Sequence, residues 1–276
     1  SLLAKLPLSH PVKHFFSRLL GRSLATVTAQ WVSIYKKRRQ IRASLQTQYV
    51  DCCAGYRMTP ICVQALRRLN FSASVYTLSL PRQGLTKLAL KALLEAFSGT
   101  GQHLDPDACY DVNWVRKELG DSPITCVDLS YNDIQVDGVN MLLESFIKNK
   151  WTIRDLRVDY CNIRDQCAQA FQPILQPEYG SPYPHLLDLS LAKNQIGDRG
   201  VAKLVQLLYD NRVLKSLNLS DNGAEIYSGK ALKVLLSENN YLEHLDLSFN
   251  RLRMEGAGAV AEGLKRNMQL QTLNVA

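Results

Sequence analysis

No stretch of this chain approaches the roughly 20 consecutive apolar residues of a membrane-spanning helix, so no membrane partner is expected. No two cysteines have the CxxC spacing, and the seven present (Cys52, Cys53, Cys62, Cys109, Cys126, Cys161, Cys167) are odd in number. That excludes a zinc-ribbon pattern, argues against a disulfide framework and points to a reducing compartment. Residues 1–50 contain neither Asp nor Glu, yet carry nine Lys/Arg. Removing those nine from the 33 basic residues of the chain leaves 24 against 25 acidic ones, so the body is close to neutral and the arm is basic. An initiator Met is also missing, which suggests a portion of a longer protein.

What fills the 276 residues instead is one pattern written again and again. "LKSLNLSDN" at 214–222 and "LEHLDLSFN" at 242–250 share leucine, two variable residues, leucine, one variable residue, leucine and then asparagine. Alternation around the last two leucines predicts a short strand with one buried face. The template also fits at Val75, Ile124, Ile153 and Leu186, and begins once more at Leu270 before the chain ends, as if the last repeat were cut short. Successive starts lie 49, 29, 33, 28, 28 and 28 residues apart. Between strands run helix-period stretches such as "GVAKLVQLLYDN", with apolar residues three and four apart. A unit of one strand and one helix cannot bury its leucines alone and must stack on its neighbours. Asn132, Asn194, Asn222 and Asn250 are expected to bond backbone groups where the chain leaves each strand, with Cys161 a weaker version in the same column.

This pattern resembles the leucine-rich repeat family of the ribonuclease-inhibitor type over residues 75–276. The resemblance implies an α/β fold: a curved solenoid with an inner parallel sheet and outer helices. One solenoid serves many partners, so it says little about function. Insertions near 98–123 and 176–184 interrupt the array; Asp111 and Gly120 would bound an extra short helix in the first.

Residues 45–73 are expected to form a helical cap covering the leucines of the first repeat, with a stop at Gly55, an N-cap at Thr59 and Pro60 in the next first turn. The arrangement of Tyr49, Cys53, Gly55 and Pro60 is similar to leucine-rich repeat proteins of ciliary and flagellar axonemes. Residues 1–44 form the arm, where Leu24, Val27, Trp31 and Ile34 lie on one helical stripe opposite the basic run Lys36, Lys37, Arg38 and Arg39. Such a stripe suits packing on the solenoid, docking on a partner, or mitochondrial targeting.

Chemical signals are weak. His244, Asp246 and Ser248 supply the residue types of a nucleophilic triad, but the carboxylate stands where the histidine must be. "GAGAVA" at 256–261 loosely fits a dinucleotide fingerprint, but no glycine follows the strand directly. His103, Asp105, Asp107, Cys109 and Asp111 share one loop with neither zinc nor calcium spacing. No enzyme, cofactor, metal or small-molecule substrate is therefore expected. Tyr131, Tyr160 and Phe249 fall at positions left outside the core, expected on a solvent-facing sheet beside Arg154 and Arg157, and large exposed aromatics with nearby arginines mark protein interfaces. The function expected is a scaffold subunit of a large cytoplasmic assembly such as a ciliary axoneme, its arm meeting an acidic partner such as tubulin tails. One alternative is a ribonucleoprotein component, such as a mitochondrial ribosome subunit, with the arm on RNA. Another is a GTPase-activating repeat protein.

Overall fold

The computed structural model describes residues 45–67, 76–98, 124–149, 151–176 and 185–276. Residues 45–55 are helical (α1), and a short helix α2 (Val63–Arg67) follows. Strand and helix then alternate: β1 (Tyr76–Ser79), α3 (Lys87–Ser98), β2 (Ile124–Asp128), α4 (Gln135–Asn149), β3 (Asp155–Arg157), α5 (Cys167–Leu175) and β4 (Asp188–Ser190). The array continues through α6 (Gly197–Gln206), β5 (Ser216–Asn218), α7 (Ile226–Glu238), β6 (His244–Asp246), α8 (Arg253–Leu264) and β7 (Thr272–Asn274). The strands form one seven-stranded sheet in chain order, every pair parallel.

Register follows from the repeat itself. Leu78, Val127, Leu156, Leu189, Leu217 and Leu245 pair in sequence across the sheet, and all are buried. Their side chains join apolar residues of the helices in a single core, while the residues on either side of them face outward. Each unit thus hides its leucines only by stacking, as its length requires. The cap belongs to the same core: Leu45, Tyr49, Cys52, Cys53, Cys62 and Leu66 are fully buried with it.

The cap's turns differ from expectation. Helix α1 ends at Gly55, but the left-handed residue that closes the turn is Arg57 (φ 54°), whose N–H donates to the Ala54 carbonyl while that of Met58 donates to Cys53. Helix α2 begins at Val63, after an irregular stretch at Thr59 and Pro60, not at Pro60.

The asparagine column does what its position requires. Asn222 Nδ2 donates to the carbonyls of Leu191 (2.8 Å) and Ser220 (3.1 Å), and its Oδ1 accepts from the amides of Asn194 (2.9 Å) and Ile196 (3.5 Å). Each asparagine therefore ties its own turn to the preceding one. Cys161 makes the weaker form, its thiol donating to the Leu129 carbonyl at 3.3 Å, and burial pushes that thiol up to about 12. A second ladder went unnoticed in the sequence: Asn211, Asn239 and Asn267 sit three residues before each repeat's first leucine. Each accepts from the amides two and three residues on and donates back to the preceding unit, as Asn239 does to the Leu208 carbonyl at 2.9 Å.

Two further contacts lock neighbouring units. Asp198 accepts from the amides of Glu225, Tyr227 and Ser228 at the start of α7, so one unit's carboxylate caps the next unit's helix. Helices α7 and α8 touch through glycines: a Cβ on Gly229 would stand 2.6 Å from Gly256 Cα. That contact accounts for the glycine at 256 without a nucleotide.

Candidate functional site

The turns that end the strands are all built alike. Arg82 (φ 56°), Tyr131 (61°), Tyr160 (52°), Lys193 (58°), Asp221 (51°) and Phe249 (56°) occupy the left-handed region. Residues with side chains seldom adopt it, because Cβ crowds the following carbonyl. The stacked fold holds them there: Tyr131 N–H donates to the Asp159 carbonyl at 2.7 Å and Tyr160 N–H to that of Ala192 at 2.8 Å, one turn further on. Backbone geometry is thus fixed by the solenoid, and the side chain at each turn is free to vary.

This corrects the expected placement. Tyr131, Tyr160 and Phe249 stand in turns at the carboxyl ends of the strands, not on the sheet face itself. They remain exposed, at 41%, 59% and 76% respectively. Tyr131 and Tyr160 stack, with ring centroids 5.5 Å apart and planes at 29°. The Arg82 guanidinium lies over the Tyr131 ring, 4.4 Å from its centroid. Phe249 belongs to a different patch, three turns along the array, or about 14 Å at the usual strand spacing. Below the tyrosines opens a cleft of about 500 Å³, lined by Asp133, Asn162, Arg164, Lys193 and Gln195 as well as the two rings.

Arg157 and Arg154 are exposed, but they do not join the tyrosines. Arg157 sits on β3 between Asp128 and Ser190 of the adjacent strands, and Arg154 precedes β3 at its opposite end from Tyr160. Around Arg157 the sheet is acidic. The register places Asp155 of β3 beside Asp188 of β4, with Cys126 of β2 on the other side donating its thiol to Asp155 Oδ2 at 2.8 Å. Asp188 is raised from the usual carboxylate range, first by partial burial and then by its hydrogen bond with Asp155. Asp159 is raised by burial too, against the pull of Ser190 Oγ at 2.6 Å and the Ala192 amide at 2.8 Å. Sequence reading missed the meeting of Asp155 with Asp188, although its signal was present: both are the variable residues immediately before an inner leucine.

The triad residue types do not assemble. His244 Nδ1 meets Thr272 Oγ1 at 2.8 Å, and Asp246 accepts from the Ser248 amide, a turn bond repeated by Asp128 and Asn218 in other units. Among the described residues no group of His, Cys, Asp and Glu is arranged to hold a metal, and no helix is long and apolar enough to cross a membrane. Trp31, Lys36, Lys37, Arg38, Arg39 and the loop from His103 to Asp111 lie outside the described residues.

With this geometry in hand, the comparisons are specific. The family described as Leucine Rich repeat matches residues 121–143, 184–205 and 238–261, three of the strand-and-turn units. Pig ribonuclease inhibitor is 30% identical over 125 residues, 45% of this chain and 26% of that protein. The chain carries leucine-rich repeats similar to those of ribonuclease inhibitor. Human NACHT, LRR and PYD domains-containing protein 5 is 31% identical over 155 residues, covering 56% of this chain and 12% of that protein. A Caenorhabditis briggsae protein phosphatase 1 regulatory subunit 37 homolog is 27% identical over 150 residues, 53% of this chain and 16% of that protein. This leucine-rich repeat chain thus spans about a quarter or less of the length of these relatives.

Proposed function

We propose that the chain is a non-catalytic scaffold that binds protein through the exposed turns and open face of its sheet. The observation that carries this is the stacked pair Tyr131–Tyr160, held in left-handed turns and left exposed. Rings fixed in advance lose little freedom on binding, which is what makes an aromatic an interface anchor. The relatives lend support: the names of two describe an inhibitor and a regulatory subunit, both acting on another protein. We further propose that the chain serves as a subunit of a large assembly, with the ciliary axoneme as the setting. That finer assignment rests on the likeness of the cap around Tyr49, Cys53, Gly55 and Pro60 to axonemal repeat proteins.

The test uses native extracts of ciliated cells expressing the tagged full chain. The protein should elute in a high-mass complex and fractionate with axonemes, survive nuclease, and shift to monomer size when Tyr131 and Tyr160 are both changed to Ala. Release by nuclease, with the double variant still assembled, would overturn this in favour of the RNA-bound arm.

A further inference from the structure

We infer that the cleft beside Tyr160 docks an acidic segment of the protein partner, in which an aromatic side chain is flanked by carboxylates. This rests on the scaffold function proposed above and specifies the chemistry of what that site takes.

The ring stack is open at one end. Arg82 covers the outer face of Tyr131, and Tyr131 covers one face of Tyr160. The next position in the column is Lys193, which places no cation over Tyr160 among the described residues. Tyr160 is accordingly the more exposed of the two rings, 59% against 41%. A planar side chain entering between Tyr160 and Lys193 would extend the stack by one member in the offset geometry that aromatic rings prefer. The long Lys193 side chain can swing aside without disturbing the turn, because that turn is held by its own N–H on the Ser220 carbonyl at 2.9 Å. A cleft of about 500 Å³ falls within the roughly 300–1,000 Å³ of ordinary ligand sites and has room for one aromatic side chain with its neighbours.

Charge chooses the flanking residues. Arg82, Arg164 and Lys193 surround the rings, and none forms an ion pair among the described residues. Arg164 Nε donates to Asn162 Oδ1 at 3.0 Å, and Asn162 in turn donates to Asp133, the single carboxylate lining the cleft. Two unpaired cations lining the cleft, with a third over the Tyr131 ring, against one lining carboxylate favour an anionic occupant. The adjoining sheet face, with Asp128, Asp155 and Asp188, repels the same occupant and confines it to the strand-end turns.

The experiment titrates the full chain into three fluorescein-labelled peptides, EDYDE, KRYRK and EDADE, and follows anisotropy. EDYDE should bind, and each of the other two should bind at least about ten-fold more weakly. Tyr160→Asn, which suits a left-handed turn, and Arg164→Glu with Lys193→Glu should each reduce EDYDE binding by about ten-fold or more, with the thermal melt unchanged. Equal binding of EDYDE and KRYRK, or indifference to the charge reversals, would overturn the inference. So would a labelled oligouridine that binds more tightly than EDYDE and depends on Tyr160. If EDYDE fails while Tyr131→Ala with Tyr160→Ala still disperses the native assembly, the acidic occupant is wrong and the scaffold stands. If EDYDE binds as described but the native assembly ignores the tyrosines, the cleft chemistry stands and the scaffold function fails.

Discussion

Asn222→Ala tests the internal wiring most directly. Asn222 is 2% exposed, so bulk solvent does not reach its amide. Truncation leaves the Asn194 and Ile196 amides without their acceptor, while the Leu191 carbonyl loses one donor but keeps Asn194 Nδ2 at 3.0 Å, and the Ser220 carbonyl keeps the Lys193 amide at 2.9 Å. The bonds at 2.8 and 2.9 Å matter most, and the one at 3.5 Å adds little. A buried backbone group left unsatisfied costs about 1–3 kcal/mol and a lost bond whose acceptor keeps another donor about 0.5–1.5 kcal/mol, so the orphaned Asn194 amide and the lost bond to Leu191 together amount to about 2–4 kcal/mol. That is a large share of the roughly 5–15 kcal/mol that holds a typical domain together. Asn250 makes corresponding bonds to Leu219 and Ala224 but is only partly buried, so water can take over part of its role and Asn250→Ala should cost less. Asn222→Cys should fall between Asn222 and its Ala variant, since Cys161 shows a thiol supplying the donor bond in this column. Urea denaturation followed by circular dichroism measures all three, with the slope checked for loss of two-state behaviour, which repeat arrays are prone to. An Asn222→Ala cost below about 1 kcal/mol, or one no greater than that of Asn250→Ala, would refute the assignment of these bonds as structural.

Leu219→Ala should cost about 2–5 kcal/mol, whereas Lys215→Ala, which loses a partly exposed ion pair with Glu243 at 2.7 Å, should cost less than about 1 kcal/mol; thermal melts should rank them so. Asp188 and Asp198 should move the acid limb of the stability curve in opposite senses. The raised Asp188 contributes stability below the ordinary carboxylate range and loses it as pH rises through its folded value, so Asp188→Asn should stabilise the protein at neutral pH. Asp198 is lowered by its hydrogen bonds to Ser228, Glu225 and Tyr227, which outweigh its burial. Its contribution is present above the ordinary carboxylate range and lost as pH falls through its folded value, so Asp198→Asn should destabilise at neutral pH and make little difference in strong acid. Urea midpoints across pH for the two variants and the parent check both signs.

By itself the sequence determined the repeat, the strand register and which residues are inside, because a stacked array has only one way to hide a leucine written every 28 residues. The asparagine at the end of each strand was equally legible, since a strand that stops inside a core must find partners for its backbone. Tertiary structure alone decided where the remaining side chains meet. Tyr131 and Tyr160 are 29 residues apart, and nothing local says that their turns become neighbours with stacked rings, or that Arg82 closes one end of the stack while Arg154 is carried to the far end of its strand. Nor does either aspartate's own neighbourhood announce that Asp188 will share a hydrogen bond with Asp155. Periodicity along a chain fixes burial, which each unit settles for itself. Adjacency between units depends on insertion lengths and rung order, and those take effect only when the array is closed up.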